Sequence, residues 1–113
     1  MHEMSLAEGI LELIEDAARR EGFGRVRTVF LEIGRLSSVE PEAMAFCFDA
    51  VTRDSIAAGA RLEIIAVPGS GICLDCGRET LLEAVYDPCE HCGAALVRVT
   101  GGTEMRVREL DVE

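Results

Sequence analysis

Two cysteine pairs, Cys73-Leu74-Asp75-Cys76 and Cys89-Glu90-His91-Cys92, are the residues best placed to do chemistry. Residues 77–88 lie between them, giving the spacing CxxC-x₁₂-CxxC. A CxxC lets two thiolates reach one ion from a tight turn, and a second pair closes a tetrahedron. Zn²⁺ suits such a cage because it accepts four sulfur ligands without distortion or redox change. Gly77 and Gly93 each follow the second cysteine of a pair. Each allows a positive-φ turn that aims backbone N–H groups at thiolate sulfur. Two redox-active dithiols are the competing reading. A redox CxxC opens a helix beside a strand, whereas these pairs are flanked by Gly and Pro. Four thiolates also leave no open position for catalysis, so the zinc at Cys73, Cys76, Cys89 and Cys92 is expected to be structural. The intervening Arg78–Pro88 is too short for a core of its own, so metal binding must supply its folding energy.

His91 is a spare donor inside the second pair, expected at an exposed turn tip rather than on the metal, since the four-cysteine set is already complete. Cys47 is the odd cysteine. It falls on an apolar helical stripe and reads as a buried, inert thiol.

A second donor set opens the chain: Met1-His2-Glu3. First residues are usually frayed. The chemistry is nevertheless present. The Met1 amine, the backbone nitrogen of His2 and its imidazole can converge on one ion, and the Glu3 amide or carboxylate can add a fourth donor. Nitrogen-rich, planar-tending sites favour Ni²⁺ or Cu²⁺. A site with so little protein around it should bind modestly and exchange readily, as a carrier does.

The elements that must position these groups follow from periodicity. Residues 5–21 form an expected helix, with Ser5 and Glu8 as a capping box and Leu6, Ile10, Leu13, Ile14 and Ala17 as its apolar stripe; Gly22 ends it. Residues 26–33 are rich in β-branched side chains and read as a strand, with Val29, Leu31 and Ile33 on one face and Val26 on the other. A second helix is expected over 41–56, with Pro41 in its first turn and Met44, Cys47, Phe48 and Val51 at helical spacing. Arg61–Val67 is a second strand, alternating or doubly buried. Pro68-Gly69-Ser70-Gly71 breaks the pattern and opens the cysteine segment, which closes near Gly101-Gly102. Met105–Leu110 is a third strand. The expected fold class is therefore α+β: a small three-stranded mixed sheet with two helices, carrying an inserted zinc-ribbon-like module. Residues 1–67 and 103–113 would form the domain that carries the N-terminal donor set, and residues 68–102 the zinc module.

Composition narrows the function. The chain has 113 residues, a net charge of −10 and no Trp. A four-thiolate zinc site adds further negative charge. That balance opposes nucleic-acid binding, where Lys and Arg neutralise phosphate. It suits a basic or metal-bearing partner. The N-terminus lacks a basic, apolar export signal, and no run is long enough to span a membrane. Reduced thiols in a cytoplasmic setting are expected. Neither a Ser/His/Asp set nor a phosphate-cradling glycine loop is present, so no enzyme is expected.

The N-terminal Met1-His2-Glu3-Met4-Ser5-Leu6, the mid-chain helix, the inserted CxxC-x₁₂-CxxC and the tail Gly101-Gly102-Thr103-Glu104-Met105-Arg106 together resemble the HypA/HybF hydrogenase maturation factors. The similarity runs end to end. It implies a nickel metallochaperone with nickel at Met1, His2 and Glu3 and structural zinc at Cys73, Cys76, Cys89 and Cys92. It further implies delivery of Ni²⁺ to the [NiFe]-hydrogenase large subunit alongside a HypB-type GTPase, by a monomer or homodimer. The rival is a zinc-ribbon interaction module with no part in metal delivery.

Overall fold

The computed structural model describes residues 2–113. Its elements run α1 (Glu3–Glu21), β1 (Val26–Gly34), α2 (Pro41–Val51), β2 (Arg61–Val67), β3 (Gly69–Cys73), β4 (Glu79–Leu82), β5 (Val97–Gly101) and β6 (Met105–Val112). They make two three-stranded sheets, ordered β2-β1-β6 and β4-β3-β5. The fold is α+β, two helices with one small mixed sheet and one small antiparallel sheet among the described residues.

α1 starts earlier than its capping box predicts. His2 occupies the N-cap position without a side-chain cap, and Ser5 lies inside the helix. The first turn is fixed instead by Leu6 N–H donating to His2 O at 3.0 Å and by a tertiary contact of Glu3. The stripe also shifts. Glu3, Ala7, Ile10, Ile14 and Ala17 are buried, at alternating spacings of four and three, while Leu13 is exposed. Gly22 ends the helix in the left-handed region at φ 80°, its N–H returning to Ala18 O.

α2 has the expected Pro-opened start, and Glu40 caps it by accepting Glu42 N–H. It stops at Val51 rather than residue 56. Thr52 Oγ1 donates to Phe48 O, Ser55 Oγ donates to Thr52 O, and Ala57 N–H donates to Ser55 Oγ. These hydroxyls offer backbone groups an alternative to the helical ladder, and the segment closes as a chain of turns. Met44, Cys47 and Phe48 are buried as read.

β1 is the central strand of its sheet. Val29, Leu31 and Ile33 are buried on one face, and Val26 is buried as well despite its opposite parity. Arg27 meets Asp111, and five positions later Glu32 meets Arg106, five positions earlier in β6. β6 therefore runs antiparallel to β1. At the other edge, the C-terminal ends of β1 and β2 meet, with Arg35 N–H donating to Val67 O at 2.8 Å. This parallel pair is the geometry an α2 crossover produces. β2 is an edge strand with no fully buried residue, so its double burial is not realised.

The glycines at 69 and 71 extend a strand rather than breaking one. β3 is central to the second sheet, antiparallel to β4 and β5. A Cβ on Gly71 would lie 2.6 Å from Val97 Cγ1 and 2.7 Å from Arg98 O, so the neighbouring strand approaches over bare backbone.

The chain divides into two compact units: Met1–Leu31, Val39–Ile64 and Val107–Glu113 form one, Glu32–Ser38 and Ile65–Arg106 the other. The first holds most of the buried apolar side chains, including Ile14, Val29, Leu31, Met44 and Phe48. The second buries few: Ile33, Leu82, Cys73 and Cys89. Two of those four are thiols, which leaves this unit short of a hydrophobic core.

Candidate metal centres

The four paired cysteines converge. Their sulfur atoms all lie within 4.8 Å of one another. Cys73 Sγ is 3.6 Å from Cys92 Sγ, and Cys76 Sγ is 3.8 Å from Cys89 Sγ. Zn–S bonds of about 2.3 Å at tetrahedral angles require sulfur separations of roughly 3.8 Å. Those two separations match that value, and all four thiols are free of disulfide.

The two pairs are built alike. Gly77 N–H donates to Cys73 O and Gly93 N–H to Cys89 O, both at 2.9 Å. Cys73 N–H donates to Arg78 O and Cys89 N–H to Ala94 O, again both at 2.9 Å. Gly77 and Gly93 take φ of 76° and 78°, which only glycine adopts without strain. The turns aim amides at sulfur. Asp75 and Cys76 N–H donate to Cys73 Sγ at 3.4 Å, and His91 N–H to Cys89 Sγ at 3.3 Å. In each pair the first cysteine is buried and the second exposed.

These contacts set the thiol acidities. The Cys76 amide lowers Cys73 most; burial opposes it, and the Asp75 amide and the Cys92 and Cys76 thiols add to the lowering. At Cys89 burial acts upward, but the amides of Cys92 and His91 and the thiols of Cys76 and Cys73 bring it down to about 6. At Cys92 the Ala94 amide acts downward, yet Cys73, burial, Cys76 and Cys89 push it up to about 12. Negative charge thus settles readily on the first cysteine of each pair. Further thiolates face like charges a few ångströms away, and a dication is what relieves them.

His91 is exposed in a turn, as expected. Its Nε2 lies 3.0 Å from Glu79 O, on β4. Thr80 and Glu90 are further members of this surround that motif reading overlooks. Thr80 is fully buried and its Oγ1 accepts Glu90 N–H at 2.9 Å, while the Glu90 carboxylate accepts Leu81 N–H at 2.7 Å. The signal available in sequence is slight: a Thr in a short apolar run and a Glu between two ligands.

At the other candidate centre, Met1 lies outside the described residues. His2 is exposed at the head of α1, free of any cap role. Glu3 is 5% exposed, and its Oε2 accepts Glu40 N–H at 3.2 Å. That backbone bond is the main reason its carboxyl sits below the usual 4.5; the Glu3 amide adds to it, burial opposes it, and His2 contributes. The Glu3 carboxylate is thus committed to joining the N-termini of α1 and α2.

Comparison with known proteins gives this geometry a family. A family model described as "Hydrogenase/urease nickel incorporation, metallochaperone, hypA" matches residues 1–112. The chain belongs to the HypA family. It is 63% identical over 113 residues to the hydrogenase maturation factor HypA of Albidiferax ferrireducens and 62% identical to that of Dechloromonas aromatica, covering all of each. Among solved structures it resembles the Ni metallochaperone HypA from Helicobacter pylori, with a TM-score of 0.70 and 27% identity over 99% of this chain and 97% of that one. HypA proteins are maturation factors and not enzymes. No helix among the described residues is long and apolar enough to cross a membrane.

Proposed function

We propose that this chain binds one Ni²⁺ at its N-terminus, through the Met1 amine, His2 and Glu3, and delivers it for [NiFe]-hydrogenase maturation. Zinc at Cys73, Cys76, Cys89 and Cys92 has a structural role. Residues 1–67 and 103–113 carry the nickel function and residues 68–102 the zinc. The observation that carries the reading is the end-to-end HypA match joined to an exposed, uncommitted His2 at a helix start.

The geometry refines which donors are used. The Glu3 carboxylate is buried against Glu40 N–H, so Glu3 contributes through its backbone nitrogen. The first amides of a helix have no acceptor in the helical ladder, and the Glu3 N–H turns only to its own carboxylate. Nickel in a planar field displaces amide protons, and the positive end of the α1 dipole stabilises the resulting anionic nitrogens. The site has little protein around it. Affinity stays modest, and a partner can replace the ligands one at a time. The partners in this reading are a HypB-type GTPase and the hydrogenase large subunit, met in the cytoplasm by an acidic monomer or homodimer.

The test is nickel titration of a preparation starting at Met1, beside one with two extra residues ahead of it. The first should take up about one Ni²⁺ at micromolar affinity, on the order of −8 kcal/mol. The extended chain should lose that uptake while keeping its zinc. His2→Ala should do the same. Equal uptake by all three would place the nickel elsewhere and favour the plain interaction module.

A further inference from the structure

The two cysteine turns share one backbone design but not one support. Cys73 ends the central strand β3 and is held by pairing with Val97 of β5. Residues 83–96, which include Cys89 and Cys92, belong to no strand. The second pair is tied to the sheet through contacts with β4. β4 is an edge strand paired to β3 on one side, with Leu81 opposite Ser70. On its open side, Leu81 N–H donates to the Glu90 carboxylate at 2.7 Å. Glu90 N–H donates in turn to Thr80 Oγ1 at 2.9 Å, and that hydroxyl leans toward Leu81 O at 3.5 Å. His91 Nε2 reaches Glu79 O. Glu90 therefore stands where a fourth strand would, directly after one ligand and two residues before the next.

We propose that Thr80 and Glu90 are positioning residues that hold the Cys89–Cys92 turn at ligand distance and so set how long zinc is retained. This rests on the four-cysteine zinc reading above. Partners that orient metal ligands are commonly worth about 10–100-fold in metal affinity. Thr80 is buried, so removing its hydroxyl leaves Glu90 N–H without an acceptor.

The experiment follows zinc release from the full-length, zinc-loaded protein to a chromophoric chelator. Thr80→Val and Glu90→Ala should release zinc at least about tenfold faster than wild type. Thr80→Ser and Glu90→Gln keep an acceptor in place and should stay near the wild-type rate. Cobalt-substituted Glu90→Ala should retain the sulfur-to-metal charge-transfer bands of a four-thiolate site, separating faster exchange from ligand loss. Release at the wild-type rate from both truncated variants overturns the proposal. So does fast release from the Ser and Gln variants, which would mean that the Thr80 methyl and the Glu90 charge, rather than the hydrogen bonds, hold the turn. Should Thr80→Val not fold, Glu90→Ala decides, because its side chain is half exposed. A wild-type chain without stoichiometric zinc would instead bring down the reading beneath it.

Discussion

At the residue scale, Glu3 shows how one side chain serves position rather than ligation. A carboxylate beside an N-terminal histidine looks like a metal donor, and one that is itself buried against another helix's first amide is a tether. The consequence is a pH dependence with a definite sign. The folded-state pKa of Glu3 lies below 4.5, so its contribution to stability is present above that value and is lost as pH falls through the lowered one. Glu3→Gln should lower the urea midpoint at neutral pH, and the gap from wild type should narrow as pH falls below 4.5. A constant gap across that range would show that the charge is immaterial. The convergence of the four cysteines was legible from spacing alone, because paired thiols at this interval fit one tetrahedral ion. Thr80, Glu90 and the Glu40 amide were not, because each acts on a residue brought near only by folding.

At the scale of elements, the two kinds of glycine should behave oppositely. Gly9 sits on the exposed side of α1 with open space at its Cβ position. Gly9→Ala should stabilise the helix by about 0.5–1 kcal/mol, read as a higher melting temperature. Gly71 in β3 has Val97 and Arg98 in the way. Gly71→Ala should destabilise its sheet by about 1–3 kcal/mol and speed amide exchange in β3 and β5 while α1 stays protected. Helix and strand types were readable because apolar periodicity is a local property. Boundaries were missed where a local signal lost to another contact. The Ser5 capping box yielded to the Glu3–Glu40 bond, and the end of α2 yielded to Thr52 and Ser55. Gly69 and Gly71 read as breakers since nothing local says that a neighbouring strand needs their missing side chains.

At the scale of the whole molecule, the two units differ in what sustains them. The unit with α1 and α2 has a buried apolar core, and the other has few buried side chains apart from its thiols. Removing zinc with a strong chelator should therefore abolish slow amide exchange in β3, β4 and β5. Helical circular dichroism from α1 and α2 should persist. Simultaneous loss of both would show that the first unit depends on the metal too. The net charge of −10 also makes association with a basic partner salt-dependent, and weak binding to DNA at any salt is the corollary. The sequence by itself determined the cysteine cluster, the α+β class and the family resemblance, since paired spacing and apolar period are written in neighbouring residues. Only the tertiary structure decided that the Glu3 carboxylate is a tether, that glycines form the middle of a sheet, and that β4 clasps the second cysteine turn. Those outcomes depend on which backbone amides are left facing an acceptor from elsewhere in the chain, and no local pattern records that.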